Sequence, residues 1–417
     1  MACMRRPSIL EDSALSTAGV LAQGLSRFCY TAIVARAFGA DVLSQVNTSF
    51  AVAILLSLLW PTGAGNIAAA FLRPTAVRLG RTLHASTAAA LAPIGVVAFA
   101  LAFLIGFGAR DAIMLALLAI SWSAYIYSRG VRFGMGQIRE AAIWDIGTSL
   151  LSVALLIVTV AAGWAPIVLL PAVVAYSAFV LAAFLRPRVV PQGPLIHAPE
   201  PPTRPLALVA WNSLTLVATN GLMQLSMVFA FAFDESASAG QFAAALSLAT
   251  PVSMLSQAIT QALLPRFAEL PLQSPAARRM FLWRVFVGVG ALMAVGCAAV
   301  AVFLPFVLPL VYGESFAPAV PIARLLMIAV FAFSMALLAA ALLSATQRAR
   351  IATLLSVLGS AGGVVAMLSL TPVYGGSLAA ALGTVGGTTV SAVLLILAVI
   401  LGERTSRAAT RSARNSV

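Results

Sequence analysis

Four pairs of polar side chains, each pair four residues apart, interrupt the apolar runs of this 417-residue chain: Gln23 with Arg27, Thr62 with Asn66, Asn220 with Gln224, and Gln257 with Gln261. Residues at i and i+4 share one face of a helix. Each pair is therefore a stripe of donors and acceptors inside a greasy segment, where an unpaired polar group facing lipid is costly. The chemistry such stripes offer is binding. The two histidines, His84 and His197, fall in loops, and Cys3, Cys29 and Cys297 have neither disulfide nor metal spacing. No catalytic group and no cofactor are expected. Ser16 and Asn212 extend the stripes of the first and seventh segments, and Ser253 that of the eighth.

Arg27 is the sharpest of these residues. It lies in mid-segment, where an arginine costs roughly 2.5–3.5 kcal/mol even on the lower scales. No acidic residue stands one turn away. A permanently charged planar fork suits phosphate. The competing reading is a guanidinium that snorkels to the interface or pairs with Asp145 on another segment. Asp145 is itself the one plausible coupling carboxylate. Arg324 is expected to be an interface anchor or a second cationic contact, and Arg36 to mark the end of the first segment.

The elements that must position these groups follow from composition: 61% hydrophobic residues and 9% charged. About 20 apolar residues cross a bilayer core. Twelve segments qualify, at about 14–36, 43–71, 87–108, 112–128, 141–162, 164–185, 206–233, 240–264, 285–311, 318–344, 351–371 and 376–401. All cations are arginine, and 21 of the 25 fall in alternate loops and tails, from Arg5 and Arg6 through Arg129 and Arg132 to Arg414. The positive-inside rule places that side, and both termini, in the cytoplasm of a cell-membrane protein. The net charge of +13 is a topology signal spread over seven loops and tails, so nucleic acid is not an expected partner. No cleavable signal peptide is expected, since the first apolar run follows Glu11 and Asp12 and is too long for one.

The longest break, RPRVVPQGPLIHAPEPPTRP at 186–205, is too rich in proline for a helix to run through. It divides the chain into an N-terminal bundle of six helices (1–185), a cytoplasmic linker (186–205), a C-terminal bundle of six (206–401) and a basic tail (402–417). The halves read as repeats. Gln23 and Arg27, the Gly39-Ala40-Asp41 turn and Gln45 are echoed by Asn220 and Gln224, Asp234-Glu235 and Gln241 at offsets of about 195–197 residues. Six crossings per repeat give both copies the same orientation, so the pseudo-twofold axis runs along the membrane normal, a transporter architecture. The four stripes are then expected to line one hydrated cleft between the bundles. The alternative is that they only bond neighbouring helices. The glycine runs at 359–363 and 383–387 are expected to allow close helix packing.

LSRFCYTAIVARAFGADVLSQVNTSFAVAILLSLLWPTGAG (25–65), SAGQFAAALSLATPVSMLSQAITQALLPRFAEL (238–270) and LVYGESFAPAVPIARLL (310–326) resemble segments of prokaryotic polysaccharide flippases of the multidrug/oligosaccharidyl-lipid/polysaccharide exporter superfamily. Ala35-Arg36-Ala37-Phe38-Gly39 matches the A-R-x-x-G that ends the first helix of that group. The resemblance implies two six-helix bundles around a V-shaped cavity lined by helices 1, 2, 7 and 8. It implies transfer of a polyprenyl-diphosphate-linked glycan between leaflets, with membrane lipids, a glycan polymerase and glycosyltransferases as partners. Arg27 is the position to which the cavity arginines of related lipid II flippases carry over. Ser26-Arg27 is present, but Phe28–Ala32 departs from their S-R-x-x-G-x-x-R-D pattern, which disfavours a peptidoglycan role. The rivals are a cation-coupled drug exporter using Asp145 and, with weaker support, a membrane glycosyltransferase or polymerase, for which no outer loop is long enough.

Overall fold

The computed structural model describes the backbone of residues 9–73, 75–185, 203–270, 274–346 and 348–415, and side chains within 18–401 apart from a few positions, Gln261 among them. The linker up to residue 202, the Ser16 side chain and the side chains of the basic tail lie outside the described residues. Every element among the described residues is helical.

The first helix, α1 (Ile9–Leu59), runs for 51 residues. Straight, it would be about 77 Å long, more than twice a bilayer core of about 30 Å. Gly39 prevents this: its φ of 81° and ψ of −171° leave the helix in a conformation that glycine alone adopts cheaply. The chain doubles back there, because the Tyr30 and Phe50 rings meet edge to face at 5.7 Å. α1 is thus two antiparallel crossings. The second continues as α2 (Pro61–Phe71) after a break at Trp60, where Pro61 supplies no donor to the preceding turn. The segment expected at 43–71 is therefore broken near its arginine-rich end.

The other ten crossings follow one per helix: α3 (Val77–Leu104), α4 (Ala109–Gly134), α5 (Ile138–Ala161), α6 (Leu170–Leu185), α7 (Pro205–Phe233), α8 (Ser236–Glu269), α9 (Pro275–Tyr312), α10 (Val320–Ala345), α11 (Ala349–Tyr374) and α12 (Gly376–Asn415). Eleven helices are apolar and long enough to span, and α1 does so twice, giving a multi-pass membrane protein of twelve crossings. α3 and α9 each begin ten residues before their apolar runs, carrying Arg78, Arg81, Arg278, Arg279 and Arg284 on helix. A helix stops at a cap or a breaker, not where lipid ends. Ser274 supplies such a cap by accepting the Ala277 amide at 3.4 Å.

The crossings form two six-helix bundles, α1–α6 and α7–α12. In the first, Trp122, Tyr125, Tyr176 and Phe179 stack into an aromatic cluster. In the second, the glycine runs bring α11 and α12 into backbone contact. A β-carbon on Gly363 would stand 2.8 Å from the Gly383 carbonyl. Lipid tails are as apolar as leucine, so close packing of this kind is what holds such helices together.

The bundles meet along α1 against α8 and α2 against α7. At the end away from the arginine-rich loops, a β-carbon on Gly240 would collide with the Ala40 backbone. Part-way down, one on Gly24 would strike the Met254 sulfur. At the arginine-rich end, Gly63 lies against Val209 and Ser213, and Asn66 reaches Asn212. The seam is therefore shut at both ends.

Candidate functional site

The first bundle contains a fully buried carboxylate. Asp145 sits two turns into α5 with no exposure. Its Oδ1 accepts the Tyr125 hydroxyl at 2.6 Å and the Gln23 amide at 3.1 Å. Its Oδ2 accepts the Arg129 Nε at 2.7 Å, an ion pair. Three donors and one opposite charge are what such burial demands. Span one reaches this centre along a single face. A β-carbon on Gly19 would stand 2.9 Å from Oδ2, Gln23 follows one turn later, and Ser26 donates to the Ser149 carbonyl at 3.1 Å.

This corrects the reading of two arginines. Arg129 and Arg132 were expected in a loop after a helix ending at 128, but α4 runs on to Gly134. Arg132 is 4% exposed and pairs with Glu140 at 3.0 Å. Both pairs close across the tight α4–α5 turn at Gly136, whose φ is 75°. The signal was present in sequence as two arginines three apart, answered by acids at 140 and 145 beyond the turn. The alternative pairing of Arg27 with Asp145 is overturned, because Arg129 already occupies Asp145.

Arg27 lies one turn beyond Gln23. Its guanidinium stands over the Phe50 ring at 5.1 Å, and Tyr176 of α6 is within electrostatic reach. Arg27 is half-buried and, among the described residues, has no ion pair and no hydrogen bond. A cation–π contact returns about 0.5–2 kcal/mol, less than the roughly 2.5–3.5 kcal/mol cost of the charge at this depth. The charge is under-compensated. Tyr30, on the same side of the helix, donates its hydroxyl to the Val168 carbonyl and also meets the Phe50 ring.

Gln23 and Arg27 thus face the interior of the first bundle. Gly24, Phe28 and Thr31, about a quarter-turn round, face the second. Among the described residues, no hydrogen bond joins any two of the stripe side chains. Thr62 bonds Ser57 at 3.1 Å, and Trp122 donates to the same Ser57 at 3.2 Å. Asn66 donates to Asn212 at 3.1 Å across the seam. Asn220 donates to its neighbour Thr219 at 2.9 Å. Among the described residues the buried Gln224 carbonyl oxygen has no partner, and Gln257 is half-buried on α8. The Gln261 side chain lies outside the described residues. Arg324 is exposed and donates to the Ala301 carbonyl of α9 at 3.4 Å. Among the described residues no cluster of His, Cys, Asp and Glu could hold a metal.

Neither a protein-family model nor a curated protein matches the chain. Solved structures do. The lipid II flippase MurJ in an inward closed conformation is similar with a TM-score of 0.67 at 11% identity, over 93% of this chain and 87% of that one. An inward-facing multidrug resistance MATE family transporter of the MOP superfamily gives 0.64 at 16%, over 98% and 97%. The MATE multidrug transporter DinF-BH in complex with R6G gives 0.62 at 17%, over 94% of each. The chain therefore has the fold of these solved structures.

Proposed function

We propose that the protein is a flippase that moves a polyprenyl-diphosphate-linked oligosaccharide across the cytoplasmic membrane by alternating access. The observation that carries this reading is Arg27, a permanent charge inside a crossing that no carboxylate among the described residues answers. A diphosphate is the costliest part of a lipid-linked sugar to bring into a membrane. A fixed guanidinium there offsets that cost with paired, charge-assisted hydrogen bonds. Gln23 sits one turn away for the glycan side. Thr62, Asn66, Asn220, Gln224, Gln257 and Gln261 line the route once the seam parts. The prenyl tail stays in lipid. The closed seam then corresponds to a state between loading and release.

The test is export of surface glycan in cells that depend on this protein. Arg27→Ala should abolish export at unchanged protein abundance. Arg27→Lys should retain part of it, since the ammonium keeps charge without the planar fork. Normal export by Arg27→Ala would overturn the reading.

A second reading rests on Asp145, whose carboxylate is buried and tied directly to span one through Gln23. A cation-coupled exporter would use that carboxylate as its coupling group. Uptake of a cationic dye into inverted vesicles that collapses in Asp145→Asn and persists in Arg27→Ala would favour it.

A further inference from the structure

α9 ends in an unusual way. Pro309 lies in its last turn, and Gly313, at a φ of 106°, carries the chain out of the helix. The Gly313 amide returns to the Pro309 carbonyl. The carbonyls of Leu310 and Val311 are then left with no amide from a following turn, as at any helix end. Their partner comes from the other bundle. Arg36, three residues before the Gly39 turn, donates its Nε to the Val311 carbonyl at 2.8 Å and its Nη2 to the Leu310 carbonyl. A guanidinium at a helix C-terminus also meets the negative end of the helix dipole.

The next residue continues the contact. Tyr312 is 2% exposed. Its hydroxyl joins Thr31 of α1 at 3.4 Å and Ser247 of α8, so one oxygen ties both bundles. The edge of its ring meets Phe28 at 6.2 Å. Close by, Gly240 and Ala40 bring the two backbones together, and Phe107 of the first bundle meets Phe231 of the second at 5.2 Å. Among the described residues, the polar contact across the seam at the arginine-rich end is the neutral Asn66–Asn212 amide pair. Hydrogen bonds from a charged donor are roughly twice as strong as neutral ones. The two ends of the seam are unequal.

We propose that Arg36 and Tyr312 form a latch that holds the bundles shut at the end opposite the arginine-rich loops. It makes the arginine-rich end the easier one to open, so that loading precedes release. The latch rests on the alternating-access reading above for its role, but not for its existence, which a distance measurement tests without any substrate.

Spin labels at Ala37→Cys and Ser236→Cys, in a full-length chain whose three native cysteines are replaced, report the separation of the bundles at the latch by pulsed electron resonance in nanodiscs. The unmodified latch should give one short distance. Arg36→Gln and Tyr312→Phe should each add a longer component, raising the open-to-closed ratio about tenfold for Arg36→Gln, as expected for loss of a charged hydrogen bond. Arg324→Gln, an exposed arginine of the same end that donates to a carbonyl of its own bundle, is the control and should change nothing. Arg36→Lys should fall between. Unchanged short distances in both Arg36→Gln and Tyr312→Phe, at native monodispersity, would overturn the latch. A latch that opens as expected while Arg27→Ala exports glycan normally would retain the latch and remove the flippase.

Discussion

Arg129 holds Asp145 at 2.7 Å, while Arg27, one turn beyond Gln23, which also bonds Asp145, has no carboxylate partner among the described residues. Arg129 and Arg27 thus have different tasks in the first bundle. One completes a buried ion pair and fixes three helices to each other. The other remains over an aromatic ring with its donors unspent.

The pair should dominate the stability of the first bundle. Arg129→Ala leaves a fully buried carboxylate with only two neutral donors and should cost about 3–5 kcal/mol. Replacing both members by apolar residues, as in Arg129→Met with Asp145→Leu, should recover most of the loss. Thermal unfolding in detergent measures both. Equal melting temperatures for the wild type and Arg129→Ala would contradict the network described here.

Gly63 is a wedge point at the arginine-rich end of the seam. A β-carbon there collides with the Ser213 hydroxyl and stands 3.0 Å from the Val209 carbonyl. Gly63→Val should force α2 from α7 and open that end. Labelling of Asn212→Cys by a water-soluble maleimide should then rise several-fold, since α2 is displaced from the face of α7 that carries this position. Protection equal to that of Asn212→Cys alone would show that the seam does not part there.

Topology is the third expectation. Reporter fusions in the Gly39–Asp41 turn and after Asp234–Glu235 should score outside, and a fusion within 186–205 inside. An outside signal from the proline-rich linker would overturn the two-bundle topology read from the arginines.

Much of the fold was legible in the chain because membrane solvation acts on one helix at a time. Twelve apolar runs, a proline-rich break and alternating arginines suffice for two bundles, and the glycine runs at 359–363 and 383–387 do pack α11 on α12. Pairings between helices were harder to read. Arg129 and Arg132 looked like loop cations because hydropathy falls at residue 128, yet α4 continues past them and their acids lie across a turn. Gln23 and Gly24 are adjacent in sequence, but the step of about 100° between them sends one to Asp145 and the other to Met254. Arg36 read as the end of a helix, and its partners, two carbonyls some 275 positions away, carry no sequence signature at all.

The most direct measurement of the central claim is thermal stabilisation of the purified full-length protein by a short-chain polyprenyl diphosphate, with the corresponding monophosphate alongside. A ligand that binds the folded state at a hundredfold excess over its Kd stabilises by about 2.7 kcal/mol, a readable shift in melting temperature. The diphosphate should raise the melting temperature of the wild type and of Arg324→Ala more than the monophosphate does. The rise should disappear in Arg27→Ala and return in part in Arg27→Lys. An undiminished rise in Arg27→Ala would contradict the assignment of Arg27 to the diphosphate.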